Sequence, residues 1–252
     1  MSNININLEG NGDTIAIIKK DNKKDATIYL GENSKFGTKH LTLNSNDERF
    51  QLVPNVSKER SCHAIFGQAG SGKSYFCCQY IKEWIKIYPK RNIYLFTTIT
   101  SDIGCLSEIK KIKIIELTDD FASDDIPIEE FKESLCLFDD IDNIRNKQLK
   151  KKLFQTLNDT LQVGRKFKID VLVTFHVATA GVDTKIILNE CNSVSFNYRT
   201  FGNRALKYLL DSYLGLDKKD IERVKKLDGR MITILKTYPK LVLGEKEIYI
   251  LE

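Results

Sequence analysis

The sequence predicts an α/β protein, with a mainly parallel sheet covered by helices on both faces and a small β extension at its amino end. Three observations predict it. From about residue 56, short apolar runs of strand length alternate with amphipathic helical patterns, the order of a parallel βαβ core. A glycine-rich loop joins the first of these runs to the first helix. Before residue 56 the hydrophobic residues instead repeat with period two.

Residues 1–55 read as the β extension and residues 56–252 as the main domain. In the extension, Ile4, Ile6 and Leu8 alternate with polar residues, and 10–13 is a turn signal. Thr14–Ile18 and Ala26–Leu30 flank the polar stretch 19–25 as the two arms of a hairpin. In the main domain the apolar runs are Cys62–Phe66, Ile93–Phe96, Ile112–Leu117, Leu135–Phe138, Val171–Phe175 and Val194–Phe196. A helix opens at Lys73, with Phe76, Cys77, Tyr80, Ile81, Trp84 and Ile85 on one face, and Pro89 ends it. Another begins near Leu149, where Leu153, Leu157 and Leu161 follow at four-residue spacing. After residue 200 come two helices, capped by Asn203 and Asp217 and ended by Gly215 and Gly229. Met231–Leu235 and Lys246–Leu251 read as closing strands.

Composition excludes several classes. The chain has 252 residues, 42% hydrophobic and 29% charged, with four Pro and 14 Gly, which is ordinary globular usage. Its longest apolar runs are strand-length, so no transmembrane helix is expected. The start lacks a basic and then apolar leader, which predicts an intracellular chain. Six cysteines at 62, 77, 78, 105, 136 and 191 form no Cys-x-x-Cys, and His40, His63 and His176 are scattered. That spacing argues against a zinc site and fits reduced core thiols.

The chemistry concentrates in Gly67-Gln68-Ala69-Gly70-Ser71-Gly72-Lys73-Ser74, which matches G-x-x-x-x-G-K-[ST]. The glycines allow successive N–H groups to point inward as an anion nest, and the following helix adds its positive end. Lys73 is expected to reach the β- and γ-phosphates of ATP, Ser74 to ligate Mg²⁺, and Tyr75 to complete the nucleotide-binding segment. Leu135–Phe138 then ends in Asp139-Asp140. Asp139 is expected to hold Mg²⁺ and Asp140 to polarise the attacking water; Asp140 also suits a helix N-cap. Val171–Phe175 ends at His176, with Thr174 beside it, so His176 could report the γ-phosphate or simply pack at the strand end. Arg165 and Arg199 are candidates for an arginine offered to a neighbouring subunit, or for surface and DNA contacts.

These residues resemble the FtsK/HerA-type DNA-packaging ATPases, and most closely the vaccinia-type genome-packaging ATPases of large DNA viruses and their virophages. The resemblance rests on the phosphate loop, the strand ending in Asp139-Asp140, Gly164-Arg165 before the next strand, and the polar residue at that strand's end. It covers about residues 58–200 and, more weakly, the chain to 250. Relatives often carry Gln where this chain has His176. The resemblance implies a RecA-like P-loop NTPase core and a homo-oligomeric ring, a hexamer or pentamer. It also implies ATP- and Mg²⁺-dependent movement of double-stranded DNA into a capsid, with a capsid or portal component as partner. The matching setting is host cytoplasm, a viral factory or the virion.

Two other readings compete. One is another P-loop enzyme, a small helicase or a nucleotide kinase; the GTPase Asn/Thr-Lys-x-Asp and the transporter Leu-Ser-Gly-Gly-Gln are both absent. The other is a non-hydrolysing ATP-binding assembly factor, against which Lys73, Ser74, Asp139 and Asp140 all argue. Net charge is +5 but uneven. Glu116 to Asp142 holds 11 acidic residues and one basic, whereas Arg199 to Lys240 holds 11 basic and 5 acidic. Such runs are either solvated faces or, at the basic end, a surface for a polyanion. Lys218, Lys219, Arg223, Lys225 and Lys226 are expected on one DNA-facing helix, with the run Lys147 to Lys152 as the next candidate.

Overall fold

The computed structural model describes residues 3–20, 25–101, 103–178 and 181–251. In chain order its elements begin with β1 (Ile4–Asn7), β2 (Asp13–Lys20), β3 (Ala26–Glu32), β4 (His40–Thr42) and β5 (Glu48–Leu52). Then come β6 (Cys62–Phe66), α1 (Lys73–Ile87), β7 (Asn92–Thr97), β8 (Ile112–Glu116), α2 (Asp119–Ser123) and β9 (Ser134–Phe138). They are followed by α3 (Lys147–Gln162), β10 (Asp170–Phe175), α4 (Val182–Glu190), β11 (Ser193–Phe196), α5 (Asn203–Tyr208) and α6 (Lys218–Val224). The chain closes with β12 (Ile232–Leu235), β13 (Leu241–Leu243) and β14 (Glu247–Ile250). Residues 1–58 and 192–252 form one compact unit, and residues 59–191 form another.

The unit of residues 59–191 holds five parallel strands in the order β6-β10-β9-β7-β8. Strands β6, β9 and β10 are buried along their whole length, which explains why they read as near-continuous apolar runs rather than as alternation. The register pairs Phe66 with Phe175 and His63 with Leu172, so these two pairs point to opposite faces. Phe154 of α3 meets Phe175 at 6.0 Å between centroids, whereas Phe76 and Tyr80 of α1 stack on His63. Helices α3 and α1 therefore cover opposite faces, as the sequence predicts.

At the amino end of β10, buried Asp170 ties three elements together. Its carboxylate accepts from Trp84 Nε1 on α1 at 2.7 Å and from the Ser61 N–H before β6 at 2.5 Å. Burial pushes this carboxyl above the usual range, and the Trp84 and Ser61 bonds pull it back. Asp170→Ala should strand both donors. At about 1–3 kcal/mol each, the loss should be about 2–6 kcal/mol in a urea melt. A loss below about 1 kcal/mol would show that water satisfies these groups.

The other unit is antiparallel throughout. One sheet runs β1-β3-β2-β5, and β11, β12, β13, β14 and β4 pair in succession. The predicted hairpin forms as β2 and β3; residues 21–24 of its polar link lie outside the described residues. Leu8 departs from the predicted alternation: it is 56% exposed, while Asn7 is buried. The reason is local, since Asn7 Oδ1 accepts from the Glu9 N–H at 3.0 Å and ends the strand in an Asx turn.

Asn203 does not cap α5. Gly202 occupies that position and no side chain caps the helix. Asp217 does cap α6, accepting from the Asp220 N–H at 2.7 Å. Helix α6 stops at Val224, so Lys225 and Lys226 lie past its last full turn rather than on the predicted helix. No described helix is long and apolar enough to cross a membrane.

Candidate nucleotide site

The loop Gly67–Gly72 leaves the carboxyl end of β6 and enters α1. The Gly67 N–H donates to Phe175 O at 3.0 Å, which fixes the start of the loop to β10. Gly70 and Gly72 adopt φ +74° and +98°, where a side chain would be strained. A Cβ at either would meet nothing within 4 Å, so open space lies over the loop. No side chain caps α1, and its first turn holds no acidic residue. No side-chain cap or first-turn acid therefore competes with an anion at its positive end. Ser74 and Tyr75 are exposed at the mouth of this helix.

Lys73 is only 5% exposed. Its Nζ donates to Gly67 O at 2.9 Å and lies 3.3 Å from Asp140 Oδ1. Thr174, on β10, links the two aspartates. Its hydroxyl donates to Asp139 Oδ1 at 2.8 Å and accepts from the Asp140 N–H at 2.7 Å. Asp140 takes φ +45°, in the left-handed region that Asp tolerates better than most residues. It stands at the cap position of a short 3₁₀ turn, Ile141–Asn143, but its side chain makes no capping bond. Burial raises the Asp139 carboxyl above its usual range; the Thr174 bond and, more weakly, Lys73 lower it.

His176 closes the cluster. Its backbone N–H and its Nδ1 both contact the Asp142 carboxylate, at 2.8 and 3.0 Å. Its Nε2 faces Asp140 Oδ2 at 3.7 Å, and Asn143 Nδ2 lies 3.3 Å from its Nδ1. The fold therefore brings Lys73, Asp139, Asp140 and His176 together at the carboxyl ends of β6, β9 and β10. Sequence reasoning left out Asp142 and Asn143 as partners of His176 and the bridging role of Thr174. The signal was the third acid of the run, three residues beyond Asp139, whose meaning depends on the turn that folds it back onto β10. Ligand atoms of Asp140, Asp142 and His176 lie within 4.8 Å of one another, so these three could also hold a cation.

The two arginines have other partners. Arg165 precedes β10 and pairs with Glu59, which precedes β6, so both lie at the amino ends of parallel strands. A six-residue strand spans about 20 Å, which separates Arg165 from its own chain's loop. Arg199 lies in the other unit, with its guanidinium over the Tyr198 ring at 5.6 Å.

A parallel sheet with a glycine loop opening a helix at its carboxyl end, and an acid at the end of a buried strand separated from the loop strand by one other, defines a RecA-like P-loop NTPase core. The chain is 34% identical over 247 residues to the uncharacterized protein V3 of the Sputnik virophage, covering 95% of this chain and 96% of that one. It belongs to the same family as that virophage protein. No known family profile matches it. Among solved structures it is similar to B204, the DNA-packaging ATPase from Sulfolobus turreted icosahedral virus. That match has a TM-score of 0.52 and 16% identity, over 76% of this chain and 97% of that one. The genome-packaging NTPase B204 of Sulfolobus turreted icosahedral virus 2, in complex with AMPPCP, gives a TM-score of 0.51 at 15% identity over 76% and 98%. The cytoplasmic domain of the type VII secretion ATPase EccC of Thermomonospora curvata gives 0.54 at 10% identity over 82% and 28%. At these identities the likeness is one of fold, shared with these viral packaging and secretion ATPases.

Proposed function

We propose that this protein is an ATPase that drives double-stranded DNA into a viral capsid. The observation that carries the reading is the Lys73–Asp140 ion pair beside a Thr174 hydroxyl bonded to Asp139, facing an open glycine loop. A buried ammonium, an uncapped 15-residue helix and a protected carboxylate match the triphosphate and the Mg²⁺ of Mg·ATP. Gly67, Gln68, Ala69, Gly70, Ser71 and Gly72 would wrap the phosphates, with Tyr75 beside them. Lys73 would contact the β- and γ-phosphates, and Ser74 and Asp139 would hold Mg²⁺. The ion would neutralise charge that builds on the phosphate oxygens during hydrolysis. Asp140 would orient and deprotonate the attacking water, with His176, held by Asp142, at the γ-phosphate.

Arg165 stands too far from its own loop to reach it and would serve a neighbouring subunit in a hexameric or pentameric ring. Arg199 is the second candidate for that role. The named functions of B204 and the kinship with a virophage protein support DNA and a capsid or portal component as partners, in the infected cell or the virion. Residues 1–55 would be an addition to the motor formed by 56–252.

ATP turnover with and without long duplex DNA tests the reading. A DNA motor should accelerate several-fold on adding duplex. A nucleotide kinase would instead require a small acceptor, and an assembly factor would release no phosphate under either condition.

A further inference from the structure

Helix α3 begins five residues after Asp142, and its first half is strongly basic. Lys147, Lys150, Lys151 and Lys152 follow the exposed Arg145, and no acidic residue occupies the first turn. Cations there oppose the helix dipole, a local cost that packing does not explain, because Lys147 and Lys151 are exposed. Nearby acids do not neutralise the face. Asp125 pairs with Lys152 at 3.0 Å, and Asp119 accepts from Asn146 at 2.7 Å. Arg145, Lys147 and Lys151 make no ion pair among the described residues.

The same face carries a groove of about 620 Å³. Lys147, Lys150, Lys151, Phe154, Gln155 and Asn158 line it, at the spacing of one helical face, and Asp159 stands at its far end. From Lys147 to Asn158 the helix advances about 16 Å, the length of about five base pairs. That is longer than a mononucleotide and suits a run of backbone phosphates.

Three of the C-terminal cations are committed to partners of their own. Lys225 pairs with Glu222 at 2.9 Å, the Arg223 guanidinium lies 3.5 Å over the Tyr249 ring, and Lys240 Nζ donates to Leu214 O at 2.7 Å. Helix α3 is also joined to the nucleotide site. Asn143 touches His176, and only Ile144 and Arg145 separate it from Asn146, whose side chain caps α3.

We propose that this face of α3 is the surface that grips duplex DNA by its phosphates, without reading sequence; the assignment rests on the packaging-motor reading above. Contacts of this kind position the duplex and carry no base information. Because α3 is capped three residues beyond Asn143, a phosphate seated on it would shift the turn that holds His176 and so couple DNA to turnover.

The test compares the wild-type chain with Lys147→Glu/Lys151→Glu and with Lys225→Glu/Lys226→Glu. Each is titrated with a fluorescein-labelled duplex of mixed sequence across a salt series, by anisotropy. The α3 variant should bind about tenfold or more weakly near 0.1 M salt. Its salt slope should be shallower by about two, since each phosphate left without its lysine removes about 0.9. Its basal ATP turnover should be unchanged and its DNA stimulation abolished, while the C-terminal variant behaves as wild type. Acidic residues suit the first turn of a helix, so the α3 variant should melt no lower than wild type. If it does melt lower, Lys147→Gln/Lys151→Gln replaces it with the same expected slope. Wild-type affinity and slope in a folded α3 variant would overturn the assignment while leaving the motor reading intact. Failure of the wild-type chain to bind duplex would instead overturn the motor reading and the assignment with it.

Discussion

Lys73→Ala should lower ATP turnover by about a hundredfold to a thousandfold, the scale of removing one charged contact to a developing anion. The ammonium is the group best placed to meet a triphosphate on the glycine loop, and no other cation contacts Asp140 among the described lysines and arginines. Its burial adds a second expectation. Nζ donates to Gly67 O at 2.9 Å, more weakly to Gln68 O at 3.4 Å, and neighbours Asp140, so removing it mainly frees one carbonyl and leaves Asp140 without its cation. The loop is open to water, and Asp140 keeps 38% of its side chain exposed, so both groups can be hydrated. The stability loss should therefore be near the net worth of one hydrogen bond, about 1 kcal/mol. Phosphate release and a thermal melt on the same preparation check both statements. Undiminished turnover in a folded Lys73→Ala protein would remove the phosphate loop from the mechanism.

The parts of the fold that were legible in the sequence are those where one local rule governs. Strands β6, β9 and β10 are buried on both faces, so they appear as near-continuous apolar runs within a residue of their true limits. Helix α1 announces itself by its apolar face and by the glycine before it. Other features depended on distant partners. β13 is three residues long and is held by β12 and β14 on either side, so no pattern of its own marks it. The exposed Leu8 and buried Asn7 reverse the apparent alternation because a side-chain turn outweighs hydrophobic pattern at a strand end. In the site, Lys73, Asp139 and Asp140 could be named from motif and order alone. The place of Asp142 beside His176 could not, because that contact is made by a single 3₁₀ turn that brings residue 142 across to residue 176.

Asp140→Asn should stop hydrolysis while leaving Mg·ATP binding nearly intact. Asn matches the shape of Asp and also tolerates the left-handed backbone found at φ +45°, so the fold should hold. The Asp140 N–H bond to Thr174 Oγ1 does not involve the side chain and should persist. What disappears is the proton acceptor, whose Oδ1 lies 3.3 Å from Lys73 and whose Oδ2 faces His176 at 3.7 Å. Loss of a positioned base should reduce kcat by about 10²–10⁴. Nucleotide affinity, followed with a fluorescent ATP analogue, should change by less than about threefold, because Lys73 and the loop remain. Asp139→Asn should behave differently. Its amide oxygen can still accept the Thr174 bond at the position of Oδ1, but the charge available to Mg²⁺ is gone. Magnesium dependence and turnover should then weaken together. If Asp140→Asn hydrolyses ATP normally, the base lies elsewhere. Asp142 is then the next residue to replace, because its carboxylate contacts both the backbone N–H and the ring of His176 and sets how that ring faces the site.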